Sequence, residues 1–296
     1  MKIGYPCVNT CIGCSTSTTF RLANYSEQRQ RESVEKNLAC LQRILEYNVA
    51  NNFLFFRISS GIVPFASHPV STLNWEEEFK DQFAEIGSYI RKHNMRISMH
   101  PDQFVVLNTP VERILENSVK ELAYQTTILD LLELDKTAKI QIHVGGLYNN
   151  KELALVRFIE RYHQLPDFIK NRLCIENDDR LFSLADCLFI HDNTGIPIIF
   201  DNLHHECLHN AEPMREAVQK AAQTWQPEDG ILMLDYSQQA PEERIGKHIQ
   251  TIEKEKFEQF LEVTKGIDFD VMLEIKDKES SAKIAVAAKE KLLIES

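Results

Sequence analysis

Seven short stretches of this 296-residue chain carry a histidine or a carboxylate where an apolar run gives out. His68 follows one such run in Phe65-Ala66-Ser67-His68-Pro69, and His100 closes the next in Met99-His100-Pro101-Asp102. His143 lies in Gln141-Ile142-His143-Val144-Gly145-Gly146, and Glu176 opens Glu176-Asn177-Asp178-Asp179. Asp201 and His204 share Phe200-Asp201-Asn202-Leu203-His204-His205-Glu206, Asp235 lies near the end of a seventh run, and Glu274 sits in Met272-Leu273-Glu274-Ile275-Lys276-Asp277. Imidazole nitrogens mixed with carboxylate oxygens suit zinc, manganese or iron(II), whereas calcium and magnesium favour oxygen alone. So many candidates exceed the needs of one tetrahedral ion, so two or three ions bridged by carboxylates are expected.

Each residue alone has a plainer explanation. A histidine at a strand end commonly makes a structural hydrogen bond, and a carboxylate there can cap the next helix. Their recurrence on successive runs is what neither explanation requires. The other histidines, His93, His163, His191, His205 and His209, fall in helical or loop contexts and read as surface or supporting residues, with His205 placed to orient a ligand.

The elements that would gather these side chains are legible as an alternation. Eight segments are rich in aliphatic or β-branched residues: Lys2–Val8, Phe53–Ser60, Arg96–Pro101, Lys139–Gly145, Arg172–Asp178, Pro197–His204, Ile231–Ser237 and Asp270–Lys276. Between them helical spacing appears over Arg31–Asn48, Trp75–Lys92, Val111–Leu132, Lys151–Tyr162, Ala211–Thr224 and Lys254–Thr264. Eight strands alternating with helices predict an α/β fold, a single (β/α)8 TIM barrel spanning residues 1–296, whose site lies at the C-terminal strand ends. No Pro-, Gly- or Ser-rich linker divides the chain.

No apolar run reaches the roughly 18 to 20 residues that span a bilayer, so no membrane partner is expected. The N-terminus lacks the zones of a signal peptide. Seven scattered cysteines do not form a disulfide framework, which favours a reducing cytoplasm. The net charge of −11 argues mildly against a nucleic-acid partner, though bound divalent cations would offset it locally.

At Gly4-Tyr5-Pro6-Cys7 with Asn9, Arg57-Ile58-Ser59-Ser60, Met99-His100-Pro101-Asp102-Gln103, Ile142-His143-Val144-Gly145-Gly146, Glu176-Asn177-Asp178, Phe200-Asp201-Asn202-Leu203-His204-His205 and Leu273-Glu274-Ile275-Lys276-Asp277-Lys278-Glu279, the sequence resembles the UV damage endonucleases. These share the barrel and metal arrangement of the type IV abasic-site endonucleases. The resemblance implies an enzyme that hydrolyses the phosphodiester 5′ to a pyrimidine photoproduct in damaged double-stranded DNA and leaves a 3′-hydroxyl. It implies divalent metal, usually manganese, with zinc or magnesium as alternatives, and no obligate protein partner for a monomer. Ligand roles fall to His68, His100, His143, Glu176, Asp201, His204, His248 and Glu274, with an attacking metal-bound water held by Glu176 and Glu274. Two pairs match the family's lesion probes, Tyr5 with Asn9 and Gln103 with Phe104; an aromatic face can fill the gap left by an extruded dinucleotide while an amide meets base edges.

One departure stands out. Where the family carries a lysine and then a histidine on the seventh strand, this chain has Met233 and Asp235. Asp235 still offers a hard oxygen and is expected to bind metal. For phosphate contact, the Ser15–Arg21 loop supplies hydroxyls and the Arg21 charge, with Lys276 and Lys278 adding to it; the plainer reading is a polar surface turn.

Two other chemistries compete. Cys7, Cys11 and Cys14 form C-x3-C-x2-C just after the first strand, the spacing of the iron–sulfur loop in radical S-adenosylmethionine enzymes. Against it, Gly13 precedes Cys14 where an aromatic is usual, and the histidine and carboxylate series would be unexplained. A sugar isomerase or an abasic-site endonuclease could use the same metal barrel.

Overall fold

The computed structural model describes residues 1–295; Ser296, the last residue of the expected span, lies outside the described residues. Eight parallel strands close a barrel in chain order. They are β1 (Ile3–Pro6), β2 (Phe55–Ser59), β3 (Arg96–His100), β4 (Lys139–His143), β5 (Leu173–Glu176), β6 (Ile198–Asp201), β7 (Leu232–Tyr236) and β8 (Phe269–Leu273). Each lies inside the segment expected for it, or within one residue of it. Parallel strands covered on both faces can be apolar almost throughout, and these are buried over nearly their whole length. Closure is tight between β1 and β2. A Cβ added at Gly4 would fall 1.5 Å from the Phe55 carbonyl oxygen, so only glycine fits there.

A long helix follows each strand: α1 (Glu27–Ala50), α2 (Lys80–Lys92), α3 (Glu112–Leu131), α4 (Lys151–Gln164), α5 (Leu184–Thr194), α6 (Met214–Ala222), α7 (Lys254–Val263) and α8 (Glu279–Glu295). In α1, Ser26 caps the N-terminus by accepting from the Arg29 N–H, and Val34, Leu38, Leu41 and Leu45 form the buried stripe. The capping box Ser183/Asp186 starts α5, and left-handed Gly195 ends it.

Three expectations are corrected. The helix expected over Trp75–Lys92 is interrupted at Phe79, whose buried ring joins the core, and leaves a single helical turn, Trp75–Glu78, before α2. The strand expected to run to His204 stops at Asp201, where the carboxylate accepts from the His204 N–H at 2.7 Å and opens a short helix, Asn202–Cys207. Cys14 is disulfide-bonded to Cys40 and ties the loop after β1 to α1, so the cysteines are not all free. Among the described residues no helix is long and apolar enough to cross a membrane.

The barrel interior departs from the branched aliphatic filling usual for this architecture. Arg57 on β2 reaches Gln141 on β4 and Asp235 on β7, and Arg96 on β3 reaches Asp270 on β8. Contacts between strands that are not neighbours must pass through the middle of the barrel. Polar groups therefore run along its axis, and burial makes each one costly unless it is paired.

Candidate metal centre

The strand register sets the site. His143 at the end of β4 stands directly beside Glu176 at the end of β5, and His100 closes β3 on the other side. The His100 and His143 Nε2 atoms lie 3.6 Å and 3.7 Å from Glu176 Oε2. Across the same carboxylate, His204 Nδ1 lies 3.1 Å from Glu176 Oε1 and 3.8 Å from Asp201 Oδ2. Two sets of three donors result, His100/His143/Glu176 and Glu176/Asp201/His204, each close enough to share an ion. Glu176 belongs to both.

Short polar side chains lock the strand ends that present these ligands. Asn108 accepts from the Gly146 N–H and donates to the Gly146 carbonyl, and a Cβ at Gly145 (φ +118°) would lie 2.2 Å from Asn108 Oδ1. This accounts for the His-Val-Gly-Gly run. Asn177 pairs in the same two-way fashion with the backbone of Asp201, and Asn202 with that of Ser237. Ser237 Oγ then donates to the Glu274 carbonyl oxygen. Side chain to backbone bonds thus tie the ends of β5 to β8 in series and join the end of β4 to the loop after β3, which holds the ligand-bearing strand ends in place. Nδ1 of His100 donates to the Pro101 carbonyl and leaves Nε2 facing Glu176.

Electrostatics point the same way. Burial opposes charge on Glu176, but His143, His100 and His204 hold its carboxyl well below the usual range. Burial would lower His204, yet Asp201 and Glu176 outweigh it and lift the imidazole to about 12. Burial pushes Asp201 up to about 7 against the pull of His204. His143 Nδ1 and Asp201 Oδ2 are buried with no hydrogen-bond partner. Orphaned buried donors and acceptors are rare and demand a reason. Asp201 Oδ2 lies within one ligand set, and the mixed N/O donors fit a divalent transition ion.

The other expected residues divide. Glu274 and His248 line the mouth together, 3.8 Å apart, with His248 Nδ1 donating to the Glu274 carbonyl at 2.6 Å. His68 stays outside both sets, because it sits exposed on the β2–α2 loop with Nδ1 accepting from the Val70 N–H. Asp235 is also outside them: both its oxygens accept from Arg57, and one also accepts from Gln141. Gln103 lines the mouth with Lys276 and Lys278, and Phe104, next to it in the chain, is 57% exposed but outside the lining. Arg21 is exposed at the start of a turn, away from the mouth lining.

Tyr5 and Asn9, expected as a lesion-probing pair, are both buried in this structure. Tyr5 is 0% exposed between Phe53 and Phe56, its hydroxyl donates to Asn48 of α1 at 2.5 Å, and Asn9 donates to that hydroxyl at 2.7 Å. Asn9 also accepts from the Cys11 and Ile12 N–H groups, so the pair shapes the loop after β1. The three-thiolate reading fails as well, since Cys14 is consumed by Cys40 and Cys11 is exposed while Cys7 is half-buried. Sequence reasoning overlooked Gln141 and the role of Arg57; a polar residue inside an otherwise apolar strand was the available signal.

The model of the family UV-endonuclease UvdE matches residues 1–290, nearly every element just described. The chain belongs to this UV-endonuclease family. A UV DNA damage endonuclease from Clostridium perfringens (strain 13 / Type A) is 40% identical over 284 residues, covering 95% of this chain and 69% of that protein. A second, from Bacillus thuringiensis subsp. konkukian (strain 97-27), is 33% identical and covers 94% of this chain and 91% of its own length. The crystal structure of SacUVDE superposes with a TM-score of 0.94 at 44% identity, covering 99% of both chains. Membership in the UV-endonuclease family makes this chain an endonuclease acting on DNA phosphodiester bonds, and the two ligand sets lie where a barrel enzyme builds its site.

Proposed function

We propose that this chain is a single-domain, manganese-dependent repair nuclease that nicks double-stranded DNA on the 5′ side of a pyrimidine photoproduct. The observation that carries the reading is buried Glu176, shared by two ligand sets whose histidines, His100, His143 and His204, line a mouth of about 990 Å³. Arg180, Arg244, Lys247, Lys276 and Lys278 line that mouth against Asp102, Asp178, Asp179 and Glu274, so the overall charge of −11 is not concentrated on the surface that would meet a phosphate backbone.

When bound, divalent ions would grip the scissile phosphate, activate water and stabilise the leaving 3′-oxygen. His100, His143, Glu176, Asp201 and His204 would hold them, with Glu274 and His248 completing the rim. Glu176 and Glu274 remain ionised: three imidazoles hold the first, and Arg57 outweighs burial to keep the second at about 2. Both carboxylates are therefore held as anions that can accept a hydrogen bond from, and so orient, an attacking water. Gln103 on the mouth lining and the neighbouring exposed Phe104 ring support a role in probing a lesion. Phe104 offers stacking area but no hydroxyl, which suits gap filling rather than base-edge recognition. We place the enzyme as a monomer in the cytoplasm; the Cys14–Cys40 bond is the feature that stands against a reducing compartment.

The test is incubation of manganese-loaded protein with UV-irradiated, abasic and undamaged duplexes. A nick 5′ to the photoproduct is expected. Cutting of abasic DNA alone would transfer the reading to an abasic-site nuclease, and no cutting would leave a sugar substrate on the same barrel.

A further inference from the structure

Beneath the ligand sets lies a second polar layer that neither the histidines nor the DNA-facing rim explains. Arg57 is 3% exposed and Asp235 1%. One Arg57 nitrogen, Nη2, donates to both Asp235 oxygens at 2.8 Å and to Gln141 Oε1 at 2.8 Å, while Nη1 donates to Glu274. The Gln141 amide nitrogen donates to Glu176 Oε2 and to Asp235 Oδ2, both at 2.5 Å. We propose that Gln141 is a positioning residue for Glu176, and that Asp235 is the fixed counter-anion of Arg57 rather than a metal ligand.

The donor inventory carries the argument. A glutamine amide has two N–H donors and one acceptor oxygen. Here the oxygen faces a guanidinium and the nitrogen faces two carboxylates, so the reverse orientation would set oxygen against both anions and nitrogen against a cation. The amide is held in one pose, and with it the carboxylate that both ligand sets share. Asp235 accepts three hydrogen bonds out of roughly four available sites, all from this layer. Met233, two residues earlier on the same face of β7, carries only a thioether, a poor match for an ion that prefers hard donors. β7 therefore contributes no ligand. Arg57 supplies the positive charge on that side of the centre, and two ions follow from two sets joined at Glu176.

This rests on the metal-centre reading above, and one experiment separates the two. Wild-type crystals soaked in manganese would be mapped by anomalous scattering. Two peaks are expected, neither within about 2.5 Å of an Asp235 oxygen, the outer range of short metal–oxygen bonds. A peak bonded to Asp235 overturns this inference alone; no peak at all removes the metal reading and this inference with it. In solution, Asp235→Asn should keep two manganese ions per chain, and loss of one would overturn the proposal. The paired variant Arg57→Gln with Asp235→Asn, which leaves no lone buried charge, serves if the single variant does not fold. Gln141→Met should weaken manganese binding by about 10- to 100-fold and alter the electron paramagnetic resonance signature of the bound pair. An unaltered signature and affinity would show that Gln141 merely fills space.

Discussion

The two ends of the barrel interior treat buried charge differently. At the N-terminal end Arg96 bonds Asp270 at 3.0 Å and Lys139 bonds Asp229 at 2.5 Å, one cation to one carboxylate. The backbone N–H of Lys2 adds a further donor to Asp270. At the C-terminal end Glu176, Asp201, Asp235 and Glu274 crowd around Arg57 and a set of imidazoles, and Asp201 Oδ2 is left with no hydrogen-bond partner. The lower end is balanced by side chains the sequence itself supplies. The upper end has carboxylates in excess, an arrangement that costs stability unless cations arrive from solution.

The contrast breaks most severely at Glu176. Glu176→Gln should lower nicking by about a thousandfold or more, since several kcal/mol of transition-state stabilisation go with the ions, while the melting temperature of the metal-free protein stays near wild type. Arg96→Met should do the reverse: stranding Asp270 costs about 3–5 kcal/mol in chemical denaturation, with manganese affinity of the folded fraction unchanged.

Acidity sharpens the comparison. Ions bind the deprotonated forms of Asp201 and His204, whose folded values are raised to about 7 and about 12. Between pH 7 and 9 binding should release one proton, from His204, and affinity should rise about tenfold per pH unit; below pH 7 Asp201 adds a second proton and the slope steepens. Calorimetric titration of manganese in buffers of different ionisation heat counts these protons, and a pH-independent affinity would refute the assignment. The smallest effect separates the two expected probe pairs. Phe104→Ala should weaken binding to a photoproduct duplex by about 1–2 kcal/mol. Tyr5→Phe should leave it unchanged and cost about 1 kcal/mol of stability through the lost Asn48 bond. Gel-shift titrations and urea melts measure the two.

The strands were legible because parallel strands buried on both faces read as apolar runs with polar residues at their ends. Exposure was not legible in the same way. Tyr5 sits in a motif with a surface role by resemblance, but the packing of α1 over β1 buries it, and nothing local announces that. His204 misled because Asn202-Leu203-His204-His205 continues an apolar strand as readily as it starts a capped turn. Arg57 and Asp235 are 178 positions apart, so their pairing depends on barrel closure rather than on spacing. The Cys14–Cys40 pairing across 26 positions was hidden for the same reason.

Counting manganese after equilibrium dialysis of wild type and Glu176→Gln at pH 8, by elemental analysis, tests most directly whether the upper charges are completed by ions through this one carboxylate. The account predicts two ions per chain in the wild type and fewer than one in the variant; wild-type occupancy in Glu176→Gln would contradict it.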